Sequence, residues 1–146
     1  MPINFHPGYG QILYCDFDKG GFREPEMVKS RPVVVLSRKK NKSDTCTVVP
    51  LSGTEPDPPE KYHHLMSAGS LPVRLANQGD WWAKCDMVAT VAFWRLDRVR
   101  EGRGGDGRRK YSTKKISKAD LAAIKKGVLY ALCMDDLIAE EHRSGS

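Results

Sequence analysis

Four apolar residues in unbroken succession, Val33-Val34-Val35-Leu36, constrain the fold of this chain more than any other stretch. Successive side chains of a strand point to opposite faces, so an apolar run with no polar alternation predicts a strand from Arg31 to Ser37 that is buried on both faces. Pro32 has no N–H to give to a ladder, and therefore belongs at the start of that strand or on an edge. The chain's 146 residues fit one domain. A domain of roughly this size removes about two-thirds of its unfolded surface from water, so a sizeable core is available.

Gly10 to Phe17 follows a Pro-Gly turn signal and is rich in aromatic and β-branched residues, which predicts a first strand. Asp18 to Ser30, with Gly20-Gly21 and Pro25, reads as a long loop. Thr45 to Ser52 predicts a further strand, forming a hairpin with Arg31 to Ser37 across the polar turn Arg38 to Asp44. Gly53 to Ser70 carries three prolines and reads as loop. Leu71 to Ala76 and Trp81 to Val91 are strand candidates on either side of an Asn77-Gln78-Gly79-Asp80 turn. Arg95 to Lys110, dominated by arginine and glycine, reads as a mobile loop, and Lys110 to Ile116 as one more short strand. Ser117 is expected to cap a helix whose first turn holds Asp120. Leu121, Ile124, Val128 and Leu132 give that helix one apolar stripe, and it is expected to run to about Glu140. The expectation is a single domain over 1–146 of five or six short strands and one long C-terminal helix, with a polar, disordered tail at 142–146.

The net charge is +6 and the pI near 9.2. That balance suits polyanionic partners (nucleic acid, an acidic protein, an anionic surface), with plain solubility as the bland alternative. No apolar run approaches the roughly 20 residues of a membrane span. Met1 to Gln11 lacks the pattern of a signal peptide, so a cytoplasmic location and no membrane association are expected. Cys15, Cys46, Cys85 and Cys133 are widely spaced without a CxxC pair, which favours free, buried thiols over disulfides or zinc. There is no P-loop, dinucleotide fingerprint or HExxH, and His6, His63, His64 and His142 show no metal-ligand spacing. No metal or cofactor is expected, and a catalyst here must work without an obvious histidine base.

Several residues could carry chemistry. Arg31 stands at the mouth of the apolar strand, where a guanidinium can hold a phosphate and stabilise charge developing on it; an arginine that merely starts a strand is the commoner case. Ser52 ends the strand Thr45 to Ser52 and could donate to a phosphate oxygen, as could Thr54 nearby; a turn serine bonding its own backbone is commoner. Strand alternation would put Lys84 and Asp86 on one face as an acid/base pair on a ribose and its phosphate, or as a surface ion pair of little consequence, the choice turning on whether Arg31 shares that face. Arg95, Arg98, Arg100, Arg108 and Arg109 could bind phosphates or be a solvated loop. Trp81 and Trp82 could stack bases, but adjacent strand residues point apart, so only one can serve a given site.

The order of these segments resembles the PemK/MazF family, the toxins of bacterial type II toxin–antitoxin systems. Gly10 to Asp18 looks like the family's opening strand, Lys29-Ser30-Arg31-Pro32-Val33-Val34-Val35-Leu36-Ser37 like its Arg-Pro strand, and Val48-Val49-Pro50-Leu51-Ser52 like its strand ending in Thr or Ser. Lys84-Cys85-Asp86-Met87-Val88-Ala89-Thr90-Val91 looks like its (Arg/Lys)-x-Asp-x-x-x-(Thr/Ser)-(Ile/Val) segment. The resemblance covers roughly residues 9 to 138. It implies a mainly β, α+β fold: a compact, strongly bent antiparallel β-barrel, SH3-like, with a long C-terminal helix and usually a homodimer. It also implies metal-independent cleavage of single-stranded RNA at short sequences by attack of the 2′-hydroxyl, leaving a cyclic phosphate and a 5′-hydroxyl, and neutralisation by a cognate acidic antitoxin. Carried over by position, Arg31 matches the essential arginine, Ser52 the phosphate-binding hydroxyl, and Glu26 the acidic or histidine position. Lys84 and Asp86 match an acid/base pair. Ser52 replaces the usual threonine, Lys84 replaces an arginine, and the stretch Arg100 to Arg109 has no counterpart. A gyrase poison of the CcdB type, or a non-catalytic RNA- or protein-binding module on the same barrel, are the alternative readings.

Overall fold

The computed structural model describes residues 2–18, 22–26, 29–38 and 44–138. Strand β1 (Ile12–Asp16) pairs antiparallel with β2 (Ser30–Val35), Tyr14 opposite Pro32 and Cys15 opposite Arg31. β2 pairs in turn with β3 (Thr45–Ser52), Val33 opposite Pro50. Val33, Val34 and Val35 are all fully buried, because each face of the sheet carries its own core. Alternation sends Ile12, Val34, Val49 and Leu51 into one cluster and Leu13, Cys15, Val33, Val35 and Val48 into the other. Pro32 stands just outside the first β2–β3 pair, so the ladder on that side asks nothing of its missing N–H.

The other edge of β3 changes partner along its length. Thr45 to Val48 pair with β6 (Ala89–Ala92), and Leu51 and Ser52 with β5 (Trp82–Lys84). Pro50 falls in the gap between those two ladders, where no N–H is called for. One edge of β3 thus serves two strands. β4 (His63–Leu65) adds to β5, and β7 (Leu96–Arg98) to the outer edge of β1, giving a seven-stranded sheet in the order β4-β5-β3-β2-β1-β7, with β6 also on β3. β8 (Arg100–Arg103) and β9 (Arg109–Tyr111) form a separate hairpin. A short helix α1 (Val73–Ala76) and the C-terminal α2 (Lys118–Ala131) complete the elements.

Several expected elements are different. Leu71 to Ala76 is not a strand: a 3₁₀ turn at Ala68–Ser70 leads into α1, and Leu71 and Leu75 are buried at helical spacing. Trp81 to Val91 is two strands, broken by a 3₁₀ turn at Cys85–Met87, because the chain must turn there to move from one end of β3 to the other. The stretch Gly53 to Ser70 contains β4. Arg95 to Lys110 is not a loop but carries β7, β8 and the start of β9, anchored by buried Leu96 and Val99. Beyond Tyr111 the expected strand is reduced to one isolated bridge, Gln11 with Lys115.

Ser117 caps α2 as expected, its Oγ accepting the Asp120 N–H at 3.1 Å. Ile124 is fully buried, and Leu121 and Val128 pack on the core beside it. Helix and sheet approach closely at Gly127, where an added Cβ would meet Cys85 Sγ at 2.6 Å. The helix stops at Ala131, and Cys133 takes a left-handed φ of 58°, so Leu132 is 54% exposed rather than completing the stripe. The expected helix end near Glu140, the tail 142–146 and positions 39–43 of the expected turn lie outside the described residues. No described helix is long and apolar enough to cross a membrane.

Candidate functional site

Alternation from the Val33–Pro50 pair, the last of the β2–β3 ladder, puts Arg31 and Ser52 on the same face of their strands. Ser52 pairs with Trp82 of β5, and Lys84 follows on the same side by alternation. The reverse face at this end is committed to the core, with Leu51, Ala83 and Cys85 fully buried. Arg31 and Lys84 open into a depression of about 580 Å³ whose wall is completed by Glu24, Pro25, Glu26, Lys29 and Met87. Three of the five expected catalytic residues, Arg31, Lys84 and Glu26, therefore come together.

Arg31 is half-buried, and its Nε is buried without a hydrogen-bond partner among the described residues. A buried N–H left unmatched costs about 1–3 kcal/mol. Neither Arg31 nor Lys84 has an ion-pair partner among the described residues. Glu26 is exposed, and its Oε1 accepts the Arg23 N–H at 3.1 Å, which holds the turn before β2.

Ser52 and Asp86 do not line the depression. Ser52 is buried, and its Oγ accepts the Thr54 N–H at 3.2 Å, the local turn bond of a strand-end serine. Its hydroxyl proton has no acceptor among the described residues. Thr54 is exposed beside it. Asp86 lies in the 3₁₀ turn rather than on a strand, so alternation no longer sets it beside Lys84, and it is exposed.

The expected RNA-binding residues divide. Trp81 donates its indole N–H to the Leu75 carbonyl at 2.8 Å and packs against the core; the tryptophan on the Ser52 face is Trp82. Arg95 is built into the fold, stacked between the rings of Trp94 (4.5 Å) and Phe22 (4.8 Å) and donating to the Asp16 carbonyl at 3.1 Å. Arg98 lies 4.0 Å over the Tyr111 ring. Arg95, Arg98 and Arg100 line a separate pocket away from Arg31. Arg108 and Arg109 are exposed on the β8–β9 hairpin, Arg108 near Asp106 at 3.9 Å.

Sequence reasoning passed over His63, which β4 sets directly opposite Lys84 on the same face. Its Nδ1 accepts the Glu60 N–H at 2.9 Å, so in the neutral ring the proton sits on Nε2. The signal was a three-residue strand inside a proline-rich stretch, which hid it.

Three of the thiols are buried and held protonated. Burial pushes Cys15 and Cys85 up to about 12 and Cys46 up to about 11, and all four cysteines are free, with Cys133 exposed. A second polar cluster lies at the start of α2. Asp120 is buried and accepts hydrogen bonds from Ser70 Oγ, from His64 Nε2 at 2.8 Å, and from Ser67 N and Oγ at 3.1 Å each. Burial opposes its ionisation, but the bonds from Ser70, His64 and Ser67 outweigh that and hold the carboxyl below the usual aspartate range. Among the described residues no group of three or more His, Cys, Asp or Glu is arranged to hold a metal ion.

An antiparallel sheet, a capped C-terminal helix and a depression walled by Lys29, Arg31 and Lys84 with Glu24 and Glu26 define a small, mainly β protein with a charged site at one end of the sheet. Residues 9–132 match the family described as PemK-like, MazF-like toxin of type II toxin–antitoxin system, and the chain belongs to that family. It is 38% identical over 121 residues to YifN, an uncharacterised protein of Escherichia coli (strain K12), across 71% of this chain and 80% of that one. MazF from Deinococcus radiodurans superposes with a TM-score of 0.59 at 15% identity, covering 90% of this chain and 100% of that one. A mycobacterial endoribonuclease solved in complex with its cognate antitoxin superposes with a TM-score of 0.57 at 16% identity, covering 88% and 97%. The mainly antiparallel sheet with its C-terminal helix is the MazF-like fold.

Proposed function

We propose that the protein is the endoribonuclease toxin of a toxin–antitoxin pair, cutting single-stranded RNA at short sequences and so inhibiting translation. The observation that carries this is that Arg31, whose buried Nε has no hydrogen-bond partner among the described residues, lines a depression together with Lys84 and Glu26. A phosphodiester supplies what that guanidinium lacks. In the proposed step the 2′-oxygen attacks the adjacent phosphorus and the P–O5′ bond breaks, leaving a cyclic phosphate and a 5′-hydroxyl. Glu26 takes the proton from the 2′-hydroxyl, Lys84 gives one to the departing 5′-oxygen, and Arg31 holds the charge that builds on the phosphorane. The charge demand is met by Arg31 and Lys84, so no metal is called for. Membership of the toxin family and the mycobacterial complex with an antitoxin support a cognate antitoxin as partner; its acidity, a homodimer as the working unit and the cytoplasm as the place of action are part of the proposal.

Incubating the purified protein with a mixed-sequence RNA in excess chelator tests the reading. Cleavage into fragments with cyclic-phosphate ends is expected; intact RNA overturns it. A gyrase poison is the second reading, favoured by the exposed Leu132, Met134 and Leu137 that follow α2. That reading gives intact RNA and trapped gyrase on DNA.

A further inference from the structure

We propose that a second pocket, on the sheet face opposite Arg31, binds single-stranded nucleic acid through one phosphate and one stacked base. Ser30 and Arg31 are consecutive in β2, so their side chains leave the sheet on opposite sides. Arg31 lines the depression described above; Ser30 lines a pocket of about 340 Å³ that shares no residue with it.

The lining chemistry is that of a nucleotide site. Arg74, Arg98 and Arg100 converge there, and none has an ion-pair partner among the described residues. Two carboxylates stand in the same wall, Asp97 accepting the Arg98 N–H at 2.8 Å and Asp16 the Asp18 N–H at 3.0 Å, and against the four arginines they leave the lining net positive. Beside the cations stands Trp94, backed by the Arg95 guanidinium at 4.5 Å and still 50% exposed.

These parts are held in place. The Val73 N–H donates to Glu101 Oε1 at 3.1 Å, tying α1 to β8 between the immediate neighbours of Arg74 and Arg100. Tyr111 of β9 supports the Arg98 guanidinium. The β8–β9 hairpin, for which the family motifs offer no counterpart, thus completes the pocket. Guanidinium groups beside a braced, half-exposed indole suit a phosphodiester with its base, since charge and stacking are both on offer. An acidic peptide would use the charge alone.

The inference deepens the proposed RNA cleavage and rests on it only for the choice of RNA over DNA. It places part of the substrate around the sheet edge from the cut bond. The test is binding of a fluorescent, mixed-sequence RNA carrying 2′-O-methyl groups, which cannot be cut, titrated across salt. Arg74→Gln with Arg100→Gln, both at exposed positions, should shrink the slope of log K against log salt by about 0.7, the single-strand value for the one lost phosphate contact. Trp94→Ala should lower affinity about fivefold or more with the slope unchanged. Lys114→Gln with Lys118→Gln removes the same charge from an exposed region outside the pocket and should leave the slope alone.

An unchanged slope in the arginine pair, or an equal change in the lysine pair, overturns the proposal. So does an arginine pair that keeps RNA but loses a polyglutamate peptide, which would assign the pocket to an acidic protein. Binding is read without cleavage, so the two readings fail separately. A protein that cuts RNA with an unchanged slope loses only the pocket, and one that shows the slope change but never cuts loses only the nuclease.

Discussion

Two polar clusters in this molecule are handled in opposite ways. Asp120 is buried and fully provided for, with donors from Ser70, His64 and Ser67 closing around its carboxylate. Arg31 is half-buried and left short, with one N–H facing no acceptor and no carboxylate paired to it among the described residues. Buried polar groups are nearly always matched, so the matched cluster needs no purpose beyond holding α2 to the sheet, whereas the unmatched one calls for a partner from outside. Satisfaction of hydrogen bonds, more than the mere presence of charge, separates the structural cluster from the candidate site.

The contrast breaks most sharply at Arg31. Arg31→Ala should lower single-turnover RNA cleavage by about 10²-fold or more while leaving the urea midpoint unchanged or slightly raised, since it removes an unmatched donor. A variant that cuts normally, or unfolds, would erase the distinction.

Asp120→Asn should do the reverse: lose about 1–3 kcal/mol of unfolding free energy with cleavage per folded molecule unchanged. The sign of its pH dependence follows from the depressed carboxyl. The stabilisation is complete above the ordinary aspartate value of about 3.9 and is lost as pH falls through Asp120's own lower value. Wild type and Asp120→Asn should therefore converge in stability only in strong acid; convergence near neutrality would show that the carboxylate is not the stabilising form.

An effect on stability of similar size, with none on the polar clusters, is expected where α2 meets the 3₁₀ turn at Cys85–Met87. Gly127→Ala places a methyl against Cys85 Sγ and should destabilise by about 1–3 kcal/mol, with partial recovery on adding Cys85→Ala; thermal melts of the two variants check this. Least of all should follow from Asp86→Asn. An exposed residue outside the depression should change cleavage and stability by no more than about twofold and 0.5 kcal/mol. A large fall in cleavage there would return Asp86 to the chemistry.

What was legible in the sequence was local. The unbroken Val33–Leu36 run marked a strand buried on both faces, Ser117 marked a helix start, and the order of motifs marked the family. Arg31 and Ser52 could be named as candidates, but that they share a face depends on the β2–β3 register, which neither strand specifies alone. The turn at Cys85–Met87 was hidden because its cause is remote: β3 offers its edge to two strands, and α2 presses on Cys85. With the turn missed, Asp86 was carried onto Lys84's face. The arginine-rich stretch concealed β7 and the β8–β9 hairpin because Leu96, Val99 and Tyr111, their anchors, are widely spaced among polar residues.

The divided edge of β3 also sets when the site can exist. β2 and β3 are near neighbours in sequence and can pair early, but β3's other partners arrive late, Thr45 meeting Ala92 and Ser52 meeting Trp82. Long loops must close before those ladders form, which slows assembly relative to the hairpin. A chain still emerging from a ribosome would carry Arg31 for some time before Lys84 arrived to face it. The depression is thus a late product of synthesis, and the RNA nearest the nascent protein is met before the site that would cut it has been assembled.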